Sequence, residues 1–288
     1  MTYCCVGQHE NKPGALWCRE CGSLVEGAMV GDYRVLSFVG KGSTAEVYLA
    51  EQPALMKRKV VIKILPNSLS ATRVETFRSE ADVLASLSHP YILPIFSYGL
   101  LYRQLAPEAR TRDGAAGDAE LEQAGQASEQ VRCYPYLVLS YAERGSLADL
   151  FVRGGRRPWS VNRVVTIARE IADALDYAHS RGVLHRDVKP ANILYMGTHA
   201  LLSDFSVATL IEADVSHLDA PWAGSPAYMA PEVWQLRPGR YSDQYSLAVT
   251  CFYLLSNDLP LRRKEGMQPR SWICLLYTSD AADDLTRV

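Results

Sequence analysis

The stretch His185-Arg186-Asp187-Val188-Lys189-Pro190-Ala191-Asn192 constrains this chain more than any other. Val183 and Leu184 precede it and Ile193 and Leu194 follow, so the run belongs near a core. It nevertheless carries charged and amide side chains, and polar groups near a core persist where they are hydrogen-bonded or paired. A loop that keeps a carboxylate, an ammonium and a carboxamide among apolar neighbours reads as a working site.

Composition narrows what that site can serve. The chain has 288 residues, 48% apolar and 22% charged, with a formal charge of −2, which suits one large or two linked soluble domains. Basic residues cluster only briefly, around Arg153 to Arg157 and Arg262 to Lys264, which argues against nucleic acid as a partner. The best apolar window, Tyr245 to Leu255, has 11 residues, well short of the roughly 18 that a membrane helix needs. No basic start leads into an apolar signal segment. A cytoplasmic location is expected for this fragment, with any membrane anchor of a longer parent lying downstream.

Reduced thiols follow from that location. Of seven cysteines, Cys4, Cys5, Cys18 and Cys21 fall within the first 21 residues. So short a segment cannot bury a core of its own, and a structural metal is the usual remedy. Cys18-Arg-Glu-Cys21-Gly22 has the spacing of a zinc knuckle, and the segment 1–28 resembles bacterial zinc-ribbon heads. Its first pair departs from that pattern, because Gly7 stands where the second cysteine would be. Cys4, Cys18 and Cys21 are the expected zinc ligands, with Cys5 or His9 completing the set and free thiols as the alternative. Cys133 and Cys251 read as small buried apolar residues.

From Tyr33 the pattern changes to strands. YRVLSFVGKG, EVYLAE and KVVIKIL suggest an antiparallel sheet, and YILPIFSYGLL and YPYLVLSYA add two strands. Helical spacing marks Ala71 to Leu87 and, more strongly, Val161 to His179, where Val164, Ile167, Ala168, Ile171, Ala174, Leu175 and Ala178 share a face. Another helix opens at Ser146. Residues 104–130, rich in Ala, Gly, Glu and Gln, read as a flexible insertion. Mostly β followed by mostly α implies an α+β chain of two lobes with a cleft between them.

Five features stand in one order: Gly40-Lys41-Gly42 between strands, Lys63 in Val-Val-Ile-Lys, Glu80 on a helix, the His185 to Asn192 run, and Asp204-Phe205-Ser206. Later come Gly224-Ser-Pro-Ala-Tyr-Met-Ala-Pro-Glu232 and Ser242-Asp-Gln-Tyr-Ser246. From about Tyr33 to Leu261 the chain resembles the eukaryotic-like (Hanks-type) Ser/Thr protein kinases of bacteria. The resemblance implies a two-lobed protein-kinase-like fold, ATP and Mg2+ as cofactors, and Ser/Thr hydroxyls of proteins as acceptors. Phosphoryl transfer is mostly positioning and electrostatic stabilisation, which accounts for the residue types.

By that resemblance Gly40 and Gly42 lie over the phosphates, with Ala45 in place of a third glycine. Lys63 contacts the α- and β-phosphates, and Glu80 holds Lys63. Asp187 accepts the hydrogen bond of the substrate hydroxyl, and Lys189 neutralises the γ-phosphate. Asn192 and Asp204 supply oxygen ligands to Mg2+, a hard cation. Val47, Val61 and Leu194 enclose adenine, the backbones of Ser140 and Ala142 bond it, and Leu139 is the gatekeeper. Ser225 contacts Asp187 and Lys189. Arg186 implies control by phosphorylation of the activation segment, with Thr209 or Ser216 as candidate sites. Ser206 replaces the usual glycine, which should affect switching and leave metal binding intact.

The familiar pattern fades after Pro260. The kinase domain is expected over 29–261, truncated after the central helix of the second lobe that begins at Asp243, with 262–273 unassigned. Cys274 to Asp284 reads like an in-frame translation of a sequencing adapter, so 274–288 are expected to be an artefact. Glu232 would then lack the arginine that the family places in later helices, and the polypeptide as written is expected to be poorly stable. Two other functions compete with catalysis: a nucleotide-binding pseudokinase scaffold, and a zinc head that docks a partner protein. On the last reading catalysis survives removal of residues 1–28.

Overall fold

The computed structural model describes residues 2–42, 45–65, 69, 71–104, 131–205, 225–234 and 237–260. Expectations for Ser206, Thr209, Ser216, residues 105–130 and residues 262–288 lie outside the described residues. Two compact units emerge: Met1–Ser79 with Ile95–Tyr141, and Glu80–Pro94 with Ala142–Val288.

The first unit is built on strands. A short ladder joins β1 (Thr2–Tyr3) to β2 (Glu10–Asn11). A six-stranded antiparallel sheet follows, from β3 (Met29–Val30), β4 (Tyr33–Lys41), β5 (Glu46–Gln52), β6 (Arg58–Ile64), β7 (Ile95–Gln104) and β8 (Val131–Ser140), in the order β3-β4-β5-β6-β8-β7. Alternation gives it two unlike faces. Val35, Tyr48, Ala50, Val60, Ile62 and Val138 are fully buried in one cluster. Val47, Leu49, Val61 and Lys63 project from the opposite face, where the register sets Val47 against Lys63 and Lys63 against Leu137.

Residues 2–28 are welded to the buried face. Leu24 is a member of that core cluster, and Cys5, Leu16 and Trp17 pack against it. The Leu24 amide donates to the Tyr48 hydroxyl at 3.3 Å, and the Trp17 indole N–H donates to the Tyr102 carbonyl at 3.0 Å. Gly27 donates to the Val35 carbonyl and Val35 to the Ala28 carbonyl, each at 2.9 Å.

Helix α1 (Ala71–Ala85) stops two residues before the spacing predicts, since Leu87 closes a turn back to the Leu84 carbonyl. In the second unit α2 (Leu147–Arg153) opens on a reciprocal cap: Asp149 donates its amide to Ser146 Oγ at 3.1 Å, and Asp149 Oδ2 accepts the Ser146 amide at 2.9 Å. Helix α3 (Val161–Ser180) buries the predicted face except Ala168, which is half-buried, and adds Glu170. Glu170 is tolerated there because its carboxylate bonds the Ala200 amide at 2.8 Å and His199 Nδ1 at 2.6 Å.

Strands β9 (Ile193–Met196) and β10 (His199–Leu202) form a hairpin, and Leu202 exchanges backbone bonds with Tyr91 and Leu93. The short α4 (Pro231–Trp234) precedes α5 (Arg240–Ser256). The last helix begins three residues earlier than expected because Ser242 Oγ accepts the Gly239 amide at 3.1 Å and caps it. That hydroxyl also donates to Glu232 Oε1 at 2.7 Å, which supplies a polar partner to a carboxylate expected to lack one. Cys133 and Cys251 are half-buried, not buried, and burial pushes both thiols up.

Candidate active site

The His185 to Asn192 run forms the floor of the second unit's polar centre. Asp187 Oδ2 takes hydrogen bonds from Lys189 Nζ at 2.6 Å and from Asn192 Nδ2 at 2.9 Å, and Oδ1 takes one from the Ser225 amide at 2.9 Å. Lys189 Nζ also donates to Ser225 Oγ at 2.7 Å, and Asn192 Nδ2 to the Asp187 carbonyl at 2.8 Å. A carboxylate gripped by three donors points in one direction and stays an acceptor. That disposition suits a group that must receive a proton or orient a hydroxyl.

Backbone supports fix this arrangement. Asp243, at the start of α5, receives the amides of His185 at 2.9 Å and Arg186 at 2.7 Å and pairs with His179 Nε2 at 2.8 Å. Burial opposes its ionisation, yet the bond from His179 and these amides hold its carboxyl below the ordinary range. His185 is fully buried, and its Nε2 lies 2.8 Å from the Ser203 carbonyl, which only accepts. Nε2 therefore carries the proton and Nδ1 accepts the Asp187 amide at 3.2 Å; burial lowers the imidazole pKa and keeps this neutral tautomer.

Ser203 ties β10 to the loop, since its amide and hydroxyl both reach the Asn192 carbonyl at 2.9 Å. Asp204 follows it with a left-handed backbone, φ 66°, and Arg186 has φ 64°. Non-glycine residues held there cost about 1–3 kcal/mol each, and such positions concentrate at working sites.

In the first unit, Gly40 sits in β4 opposite Val47, and the Gly42 amide donates to the Ala45 carbonyl at 2.9 Å to close the turn. A Cβ at Gly40 would meet no atom within 4 Å, and its φ is not in the left-handed range. Neither packing nor backbone geometry demands glycine at that position.

The protein kinase domain model matches residues 33–276. This chain belongs to the protein kinase family. The kinase match runs through 262–273, where residue patterns alone offer no assignment. The chain is 31% identical over 254 residues to serine/threonine-protein kinase pkn2 of Myxococcus xanthus, which covers 84% of this chain and 26% of that protein. With serine/threonine-protein kinase PknF of Mycobacterium tuberculosis the identity is 33% over 250 residues, 83% of this chain and 46% of that one. The chain thus spans less than half the length of either relative. Among solved structures, the kinase domain of M. tuberculosis PknI superposes with a TM-score of 0.60 at 25% identity, over 86% of this chain and 83% of that one.

The residues expected from the kinase resemblance divide between the units. Gly40, Gly42, Val47, Val61, Lys63, Leu139 and Ser140 belong to the sheet unit; Glu80, Ala142, Asp187, Lys189, Asn192, Leu194, Asp204 and Ser225 belong to the other. Of these, Asp187, Lys189, Asn192 and Ser225 are joined by direct hydrogen bonds. Glu80 Oε2 is buried with no hydrogen-bond partner among the described residues, and burial raises its carboxyl pKa. Three kinase-site supports escaped the sequence reading: Asp243, His179 and Ser203. Only the acidic residue in the first turn of an apolar helix offered a signal, and a solvated cap reads the same way.

A second polar group lies in residues 2–28. Cys4 Sγ is 3.6 Å from Cys21 Sγ and 3.5 Å from His9 Nδ1, and Cys18 Sγ is 3.6 Å from His9 Nδ1. The four ligand atoms all lie within 4.8 Å of one another. Tetrahedral zinc requires about 3.8 Å between sulfurs and about 3.5 Å between sulfur and nitrogen, from bonds near 2.3 and 2.0 Å. The donor set fits. His9 supplies the fourth donor atom of the group; Cys5 instead packs on the sheet, where burial pushes its thiol up to about 11.

Proposed function

We propose that this chain is a Ser/Thr protein kinase that transfers the γ-phosphate of Mg-ATP to hydroxyls of protein substrates. The observation that carries the reading is the Asp187 carboxylate, oriented by Lys189, Asn192 and the Ser225 amide. Asp187 accepts the hydrogen bond of the incoming Ser or Thr hydroxyl and aligns its oxygen for in-line attack. The new O–P bond forms as the bond from γ-phosphorus to the bridging oxygen breaks, ADP leaves, and the hydroxyl proton passes to Asp187. Lys189, within 2.6–2.7 Å of Asp187 and Ser225, offsets charge on the moving phosphoryl group.

Asn192 and Asp204 supply the hard oxygen donors that Mg2+ takes, and the bound ion would neutralise phosphate charge. Lys63 contacts the α- and β-phosphates, and Glu80 holds that lysine on the same family reading. Open space beside Gly40 fits a glycine loop over phosphates, with Gly42 at its tip. Val47, Val61 and Leu194 enclose adenine, and the backbones of Ser140 and Ala142 bond it. Residues 29–261 hold the kinase residues named here, and the family match continues to residue 276. Residues 1–28 bind zinc through Cys4, Cys18, Cys21 and His9, in the reducing cytoplasm that thiolate ligands need.

The test is a Mg-ATP transfer assay on a protein acceptor, comparing wild type with Asp187→Asn. Transfer should fall by about 100-fold or more while ATP binding is kept. Wild type that binds ATP but transfers no faster than the variant would make the protein a nucleotide-binding scaffold.

A further inference from the structure

We infer that zinc at Cys4, His9, Cys18 and Cys21 braces the six-stranded sheet, so that losing the metal loosens the lobe that presents Val47, Val61 and Lys63. The inference rests on the zinc reading given above. It concerns what the metal does for the kinase, and it assigns residues 2–28 to the lobe's core and not to a partner.

The head has little to hold it together by itself. Apart from Leu24, its buried apolar residues among those described are Cys4, Cys18 and Val25, with Ala15 and Ala28 against them, and the β1–β2 ladder is two residues long. Such a hairpin is marginal in water, so the ligand set must be closed by something stronger than packing. The second coordination layer is in place: the amides of Gly7 and His9 donate to Cys4 Sγ at 3.2 and 3.4 Å, and Glu20 reaches His9 Nε2 at 3.4 Å. A carboxylate on the distal nitrogen of a histidine is the usual support for a metal ligand.

Ligands and docking residues are neighbours in the chain. Cys4 adjoins Cys5, which packs on the sheet core; Cys18 adjoins Trp17, which bonds Tyr102; Cys21 adjoins Gly22, whose carbonyl accepts from Arg103 at 3.4 Å. Two bridges, Cys4 to Val25 and Trp17 to Leu24, then carry the ligand positions to the Leu24 side chain inside the core. Adjacent residues share one backbone, so a ligand cannot move without its docking neighbour. The head packs on the face opposite Val47, Val61 and Lys63, so it supports those strands from behind.

The test uses the full chain. Purified protein should contain one zinc per chain, and stripping it with a chelator should lower the melting temperature on the order of 10 °C, reversed by added zinc. Amide exchange at Val35 and around Tyr102 should rise about tenfold or more in the stripped protein. His9→Ala should weaken zinc more than about 100-fold, while Cys5→Ala should keep full stoichiometry. If Cys18→Ser fails to fold, the reversible chelation of wild type still decides. One bound zinc whose removal leaves melting and Val35 exchange unchanged would overturn the brace and keep the zinc site. Protein without zinc, or with a Cys4–Cys21 disulfide in its place, would overturn both.

Discussion

Glu80 is a carboxylate whose buried Oε2 has no hydrogen-bond partner among the described residues, and that makes it costly in the resting fold. Its pKa is raised by burial, so the protonated form suits the folded state better than the ionised one. The sign follows: the stability tied to Glu80 is fully present below the unfolded carboxyl value near 4.3 and is lost as pH rises through the folded value. Glu80→Gln should therefore melt at or above wild type at pH 7, with wild type gaining on it as the pH falls towards 4. If Glu80 has its proposed role toward Lys63, phosphate transfer should drop at least about tenfold. Thermal melts at three pH values with parallel assays check this; a variant several degrees less stable at pH 7 would show that Glu80 is already paired. The grouping of Asp187, Lys189 and Asn192 was legible because their types and spacings are dense in one run. Arg186 and Asp204 hide a further property, a left-handed backbone that no residue type announces.

Among the elements, α2 shows how a local signal becomes a measurable term. Ser146 and Asp149 cap it reciprocally, and the same segment bridges to β9 through Ser146 and Leu194. Ser146→Ala should cost about 1 kcal/mol, a fall of roughly 2–4 °C in melting temperature, read by calorimetry. An unchanged midpoint would mean that the cap is satisfied by water instead. Strand and helix positions were legible from periodicity, which depends on neighbours a few residues away. The errors lie at ends, where single capping bonds decide and periodicity is silent: Leu84 receives Leu87 and stops α1, and Ser242 moves the start of α5 to Arg240. Burial of Glu170 on the apolar face of α3 was illegible for a different reason, since its partners, His199 and Ala200, lie 29 and 30 residues away.

For the whole molecule, the decisive fact is that the first 28 residues are not an appendage. Leu24 is fully buried in the sheet's core cluster, so Leu24→Ala should cost about 2–5 kcal/mol, more than a substitution within a detached head could. Denaturant melts followed in parallel with ATP binding test this, and a variant that melts like wild type would restore the head as a separate module. Removal of residues 2–28 should on the same ground abolish nucleotide binding along with the head. The sequence by itself determined the family, the run from His185 to Asn192, and the strand and helix order, because each is written in residue type and short spacing. Tertiary structure alone decided that His9 and not Cys5 gathers with Cys4, Cys18 and Cys21, that Asp243 and Ser203 hold the loop from His185 to Asn192, and that the cysteine-rich head completes the back of the sheet. Those outcomes depend on which residues far apart in the chain meet when apolar area is buried, and a linear pattern carries no record of that meeting.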